Sequence, residues 1–234
     1  MLLNPKGGCG KTTLATNLAS FYASRGFATA LVDYDAQGSS TRWLGVRGSE
    51  RPPIYGIAAY RNPIGVTRSW YLRLPAGTER VVTDTPASIR APELRELVRG
   101  TDTIVVPVLP SHIDIDAALD FMDVLQATKH VRSGNPRVAV VVNRVRMSGL
   151  VVRQLERFLD RVRAPVVARL RDARNYVRAG QGGAGIHELE EPRSQRDREQ
   201  WAPLLSWIEG RPERDFAPPT EVSGPPERAF AVPT

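Results

Sequence analysis

Lys6, Gly7, Gly8, Cys9, Gly10, Lys11, Thr12 and Thr13 follow one another without a break near the start of the chain. Glycines at this density let backbone N–H groups turn toward a chain of phosphates, and a helix starting just behind them adds its partial positive charge. The run fits G-x-x-x-x-G-K-[ST] loosely, with Pro5 where the first glycine is usual. In that pattern Lys11 holds the β- and γ-phosphates and the Thr12 hydroxyl ligates Mg²⁺. The chain has three lysines, Lys6, Lys11 and Lys129, and otherwise uses arginine. Two of the three in one loop point to chemistry that wants a compact ammonium and not a planar fork. A plain glycine turn is the alternative, and it does not account for strand, loop, Lys-Thr and helix coinciding.

Such a loop needs a strand before it and a helix after it. Met1 to Leu3 is apolar but shorter than the ~5–6 residues of an ordinary strand, so a few residues of the first strand are expected to be missing. Thr12 to Arg25 carries Leu14, Leu18, Phe21 and Tyr22 at helical spacing, with Gly26 as a stop. Ala28 to Val32, Val81 to Thr83, Ile104 to Leu109, Val138 to Val142 and Val166 to Leu170 read as buried strands. Pro92 to Arg99 and Ile113 to His130 read as helices, the second with Ile113, Ala117, Phe121 and Leu125 along one face. Gly45 to Gly77 gives mixed signals, with Val66 to Leu74 a strand or hairpin arm. Gly180 to Gly185 is a turn, and a helix over Gln195 to Ile208 carries Trp201, Leu204 and Leu205. This alternation predicts an α/β fold: a three-layer, doubly wound, mostly parallel sheet. The expected domain is 1–209, with a Pro-rich disordered tail over 210–234.

The second lysine sharpens the reading. Lys-Gly-Gly-x-Gly-Lys-Thr, beginning at Lys6, resembles the deviant Walker A motif of the ParA/MinD ATPases, a P-loop NTPase family. Leu31 to Gly38 (Leu-Val-Asp-Tyr-Asp-Ala-Gln-Gly) resembles that family's second motif, and Val82-Thr83-Asp84-Thr85-Pro86 its Walker B. Val105 to Ser111, Val141 to Arg144 and Leu170 to Gly180 are similar to further family segments, so the resemblance covers about 1–208. It implies ATP and Mg²⁺ as cofactors, with residues 7–13 around the phosphates, Asp84 and Thr12 on the metal, Asp33 in the metal's water shell and Asp35 orienting the attacking water. Asp33 has a second reading as a turn former or helix cap. Asn143 corresponds to a residue that contacts adenine, and equally suits a loop former. Lys6 is implied to reach across a homodimer interface to the partner's nucleotide, which makes dimerisation a nucleotide switch. Cys9 reads as a small filler.

Charge points to a polyanion. The chain has 234 residues and a net charge of +7, and the stretch from Val151 to Arg178 holds eight arginines against three acids, +5 in all. Arg153, Arg157 and Arg161 recur every four residues and stack on one helix face, with Leu155, Phe158, Leu159 and Val162 turned inward. Arg169, Arg171 and Arg174 follow. A solvated face paired with Glu156 and Asp160 is the alternative. Without a recognition helix or stacking aromatics, the pattern suits double-stranded DNA bound by its phosphates without sequence preference.

Composition closes other classes. One cysteine excludes a disulfide framework, a Cys-rich metal site and a nitrogenase-type iron protein. No run approaches ~18 apolar residues and the start carries no signal-peptide pattern, so a cytoplasmic, nucleoid-associated protein without membrane binding is expected. A MinD-like membrane ATPase would need a basic amphipathic helix at the end, where this chain has Pro-Pro-Glu-Arg-Ala-Phe-Ala-Val-Pro-Thr. A metabolic enzyme of the same superfold would have no use for the arginine stripe. The expected function is ATP-driven positioning or partition of a cargo with a ParB-like or cargo-adaptor protein; no residue selects the cargo.

Overall fold

The computed structural model describes residues 1–61, 74–146, 161–189 and 192–216. Among the described residues six strands run in parallel: β1 (Thr29–Asp33), β2 (Tyr55–Ala58), β3 (Arg80–Asp84), β4 (Thr103–Val108), β5 (Arg137–Val145) and β6 (Val166–Arg171). They form two three-stranded groups, β2-β1-β3 and β4-β5-β6. Leu2 joins the groups, pairing with Asp84 of β3 and Val105 of β4. The expected first strand is therefore reduced to Leu2, whose two bridges lie at the middle of the sheet.

Strand alternation sends side chains to two separate cores. Leu2, Leu31, Val105 and Val141 pack with Leu14, Leu18, Phe21 and Tyr22 of α1 (Lys11–Ser24) and with Leu204 and Leu205 near the chain's end. Leu3, Ile104, Val106, Val140 and Val142 pack on the other face with Leu94 and Val98 of α3 (Ala91–Val98) and with α4 (His112–Ala127). Helices cover both faces, so the three-layer α/β expectation holds. α1 ends as expected, with Gly26 at φ +83°. The remaining α-helices among the described residues are α2 (Ser39–Gly45), α5 (Lys129–Arg132), α6 (Arg174–Gln181), α7 (Gln195–Glu199) and α8 (Ala202–Glu209).

Several expectations change. Ile113 is 71% exposed, and α4 buries Ile115, Ala118, Leu119 and Met122 with Phe121 and Leu125 instead. Ser111 caps the helix by accepting from the Asp114 N–H, which leaves Ile113 in the first, exposed turn, and the buried face begins at Ile115. Thr128 leaves helical geometry and separates α4 from α5. The last helix is likewise two pieces around the wholly buried Trp201, whose indole N–H donates to the Tyr176 hydroxyl at 3.0 Å. α2 and β2 had no counterpart in the sequence reading. β2 is Tyr-Gly-Ile-Ala, half exposed on the sheet edge, and a Cβ at Gly56 would lie 2.7 Å from Leu44 of α2. Packing continues past Gly210 to Phe216, which is buried beside Phe21 with ring centroids 6.2 Å apart. Residues 66–73 of the possible hairpin arm and 217–234 of the expected tail lie outside the described residues.

Candidate nucleotide site

The site gathers at the carboxyl ends of the central strands, where open parallel sheets bind ligands. Gly10, at φ +97°, is the residue that starts α1, and a Cβ there would lie 2.1 Å from the Asn143 amide nitrogen. Only glycine fits that backbone and that contact. Gly8, at φ +77°, bends the loop the same way, and Gly7 lies against Ala87. Thr12 and Thr13 occupy the first turn of α1, whose unpaired N–H groups suit an anion.

Lys11 is buried at the loop's centre, its ammonium donating to the carbonyls of Asn4 at 2.8 Å and Lys6 at 2.9 Å. The loop is also tied to its surroundings. Asn4 donates to Pro107 O of β4 at 2.7 Å and accepts from Lys6 N at 2.8 Å, and Pro5 O accepts from Ser88 N at 3.0 Å. Cys9 is buried with its thiol donating to Lys6 O at 3.3 Å, and burial raises its pKa.

Asp33 and Asp84 end adjacent strands in register. Asp84 is wholly buried and neither carboxylate oxygen has a hydrogen-bond partner. Burial pushes its pKa up to about 7; the Thr12 and Ser40 hydroxyls and the Lys11 ammonium restrain the rise, while Asp33 adds to it. The two hydroxyls stand beside Asp84 without reaching hydrogen-bond geometry, and Ser40 Oγ is itself buried and unpartnered. Orphaned oxygens of this kind, two of a carboxylate and one of a hydroxyl, with the Thr12 hydroxyl beside them, suit a hard divalent cation such as Mg²⁺.

Asp33 is engaged differently. Its carboxylate accepts from Thr41 N at 2.9 Å, Thr41 Oγ1 at 2.8 Å and Asp35 N at 3.0 Å, closing the turn into α2. Of its two readings, these contacts are those of the turn former. Asp35 is partly exposed beyond β1, with Oδ1 accepting from Gln37 N at 2.9 Å. Asn143, also buried, donates to Cys9 O at 2.9 Å, the contact of a residue that supports the loop from β5. Lys6 extends away from the loop to Asp114 Oδ1, 3.6 Å off at the start of α4.

The arginines spread more widely than their spacing suggested. Arg153 and Arg157 lie outside the described residues. Arg161 pairs with Asp116 at 3.8 Å. Arg163, Arg169 and Arg174 are exposed. Arg171 is committed to the wholly buried Asp197, which also accepts from Asn175 at 2.6 Å. Sequence reasoning missed Asn4, Ser40 and Asp114. The hydroxyl run Ser39-Ser40-Thr41 just past the second carboxylate motif was the one signal for Ser40.

The chain is similar to known proteins. Residues 1–185 match the CobQ/CobB/MinD/ParA nucleotide binding domain family. The maintenance of carboxysome distribution protein A of Halothiobacillus neapolitanus is 30% identical over 166 residues, 70% of this chain and 74% of the relative. The chromosome-partitioning ATPase Soj of Thermus thermophilus is 30% identical over 166 residues, 60% of this chain and 65% of its own length. The solved ATP complex of a Cyanothece McdA superposes with a TM-score of 0.68 at 13% identity, covering 87% of this chain and 95% of that one. The MinD cell division protein of Aquifex aeolicus gives 0.65 at 18% identity, with 90% and 96% covered. Among the described residues no helix is long and apolar enough to cross a membrane.

Proposed function

The chain belongs to the CobQ/CobB/MinD/ParA nucleotide-binding family, and we propose that it is a ParA-type positioning ATPase that hydrolyses ATP, dimerises on it and binds DNA in the dimeric state. The observation that carries the ATPase reading is the orphaned Asp84 carboxylate, buried beside Thr12 at the head of the glycine loop. Thr12 and Asp84, with Ser40 close by, would hold Mg²⁺, whose chemistry is to neutralise charge between phosphate oxygens.

This chain's residues do the rest. The N–H groups of the loop and of the first turn of α1 bind the phosphates, and Lys11 leaves its carbonyl partners to meet the β- and γ-oxygens. Asp35, partly exposed past the end of β1, accepts a hydrogen bond from the attacking water and orients it. Asn143 keeps the loop at its height by holding Cys9 O. Lys6, the loop's partly exposed ammonium, would reach a nucleotide held by a second copy, so that ATP joins two protomers through a contact that ADP lacks.

Arg161, Arg163, Arg169 and Arg174 supply exposed charge for the DNA backbone, and Arg153 and Arg157 extend the same stretch of sequence. The expected site of action is the nucleoid, in the cytoplasm. Relatives named for carboxysome distribution support a protein body as cargo, reached through a ParB-like adaptor that stimulates hydrolysis. Phosphate release from ATP tests the ATPase reading: it should require Mg²⁺ and vanish in Lys11→Ala and Asp84→Asn. Hydrolysis undiminished in both variants would contradict it.

A further inference from the structure

Ser40 is wholly buried in the first turn of α2, and among the described residues its Oγ has no hydrogen-bond partner. A hydroxyl both donates and accepts, and one shut away from water with neither need met is a cost that folded chains seldom carry. Beside it stands Asp84, also wholly buried, with both carboxylate oxygens unmet. Of the three successive hydroxyls at the start of α2, that of Ser39 accepts from Arg42 at 3.2 Å and that of Thr41 donates to Asp33 at 2.8 Å. Ser40 is left facing the metal side of the site.

The chain around Ser40 is short and tightly tied. Asp33 lies opposite Asp84 in the β1–β3 register. Its Oδ2 accepts from Thr41 N at 2.9 Å and its Oδ1 from Asp35 N at 3.0 Å, so both ends of the segment from Asp35 to Thr41 hang on one side chain. Within the segment Gly38 N donates to Asp35 O at 2.8 Å. Gly38, at φ +62°, is the residue that starts α2, and a Cβ there would lie 3.1 Å from the Tyr60 hydroxyl. A bond made by Ser40 therefore bears on Asp35 through a turn that has little room to give.

We infer that Ser40 is a positioning residue of the loaded site: its hydroxyl joins Thr12 and Asp84 around the nucleotide's Mg²⁺ and so holds α2, and the turn that carries Asp35, in place. This rests on the nucleotide reading above and adds to it a link between the metal side of the site and the carboxylate that orients the water. Mg²⁺ takes oxygen ligands and keeps several of its waters, so both halves of the hydroxyl have a use there, the proton toward Asp84 and a lone pair toward a metal-bound water. The same hydroxyl is a burden when no metal is bound. Its two roles have opposite signs, and that separates it from a group that merely supports the fold.

Thermal melts and ATP titrations of the full chain and of Ser40→Ala, each without nucleotide, with ATP and EDTA, and with ATP and Mg²⁺, test this. Without metal, Ser40→Ala should melt about 2–4 °C above the parent, since it removes an unmet buried hydroxyl, and its ATP affinity in EDTA should match the parent's. The Mg²⁺ concentration that half-saturates the ATP-bound chain should rise about tenfold, the effect of losing one hydrogen bond to a charged group. Amide exchange at Asp35 and Gly38 should slow on adding Mg²⁺ with ATP in the parent and stay fast in Ser40→Ala. A lower metal-free midpoint for Ser40→Ala, which a supporting hydroxyl would give, or an unchanged Mg²⁺ requirement would overturn the inference while leaving the nucleotide reading intact. A parent that gains nothing from Mg²⁺ with ATP would overturn both.

Discussion

The Asn143 side-chain amide donates to the Cys9 carbonyl at 2.9 Å, so the end of β5 is latched to the phosphate loop from beneath. The same amide nitrogen stands where a Cβ on Gly10 would go, at 2.1 Å. One latch therefore fixes both the loop's height and the residue type at its tightest point. Removing it leaves the Cys9 carbonyl without that partner, which costs about 1–3 kcal/mol at a buried site. Asn143→Ala should lower stability by that amount and weaken nucleotide affinity several-fold in calorimetric titration, while Gly10→Ala should abolish binding. Tight ATP binding by Gly10→Ala would show that the latch does not set the loop.

Asp84 predicts a pH dependence. Its folded pKa of about 7 lies above the 3.8 of the free side chain, so the folded chain holds a proton that the unfolded chain gives up. Without a cation, stability contributed by this group falls as pH rises from about 4 to about 7 and is level above that. The span is bounded at roughly 4 kcal/mol. Asp84→Asn should flatten the slope in urea melts at several pH values and be more stable than the parent at pH 8. Binding of Mg²⁺ with nucleotide should release a proton below pH 7, so affinity weakens as pH falls through 7. A parent slope of the opposite sign would remove the orphaned carboxylate from the account.

Lys6 and Lys11 should separate binding from assembly. Lys11 sits at the loop's centre, whereas Lys6 reaches outward and its pair with Asp114 is partly exposed, worth no more than about 1 kcal/mol. Lys6→Ala should thus keep stability and nucleotide binding but lose ATP-dependent dimerisation in sedimentation. Lys11→Ala should lose nucleotide binding first. If Lys6→Ala dimerises normally with ATP, the cross-subunit role is wrong.

The arginines should divide by what each one touches. Arg171→Ala strands a carboxylate that is wholly buried, costing about 2–3 kcal/mol because Asn175 still donates to it. Arg169→Ala with Arg174→Ala, both exposed, should leave stability within about 0.5 kcal/mol. That pair should reduce DNA affinity and lower the salt slope by about 0.9 per lost phosphate contact. Thermal melts beside DNA titrations at two salt concentrations distinguish the cases.

What could be read from the sequence was what local chemistry dictates. The glycine loop, the helix behind it and the strands ending at Asp33 and Asp84 were legible because φ-positive glycines, helical spacing and β-branched runs are local signals. β2 was not, since Tyr-Gly-Ile-Ala on a sheet edge has neither alternation nor a continuous apolar run. Ile113 was misplaced because it falls in the exposed first turn behind the Ser111 cap, and apolar spacing alone does not say which turns of α4 meet the sheet. Partners distant in sequence stayed hidden: Asp84 beside Ser40, Lys6 with Asp114, and Arg171 with Asp197, which turned a presumed DNA contact into a structural ion pair.

Binding to a random-sequence DNA duplex, measured with ATP, with ADP and without nucleotide, tests the central claim most directly. The account predicts tight, salt-sensitive binding with ATP alone, lost in Lys11→Ala and weakened in Arg169→Ala/Arg174→Ala. Equal binding in all three nucleotide states, or none in any, would contradict it.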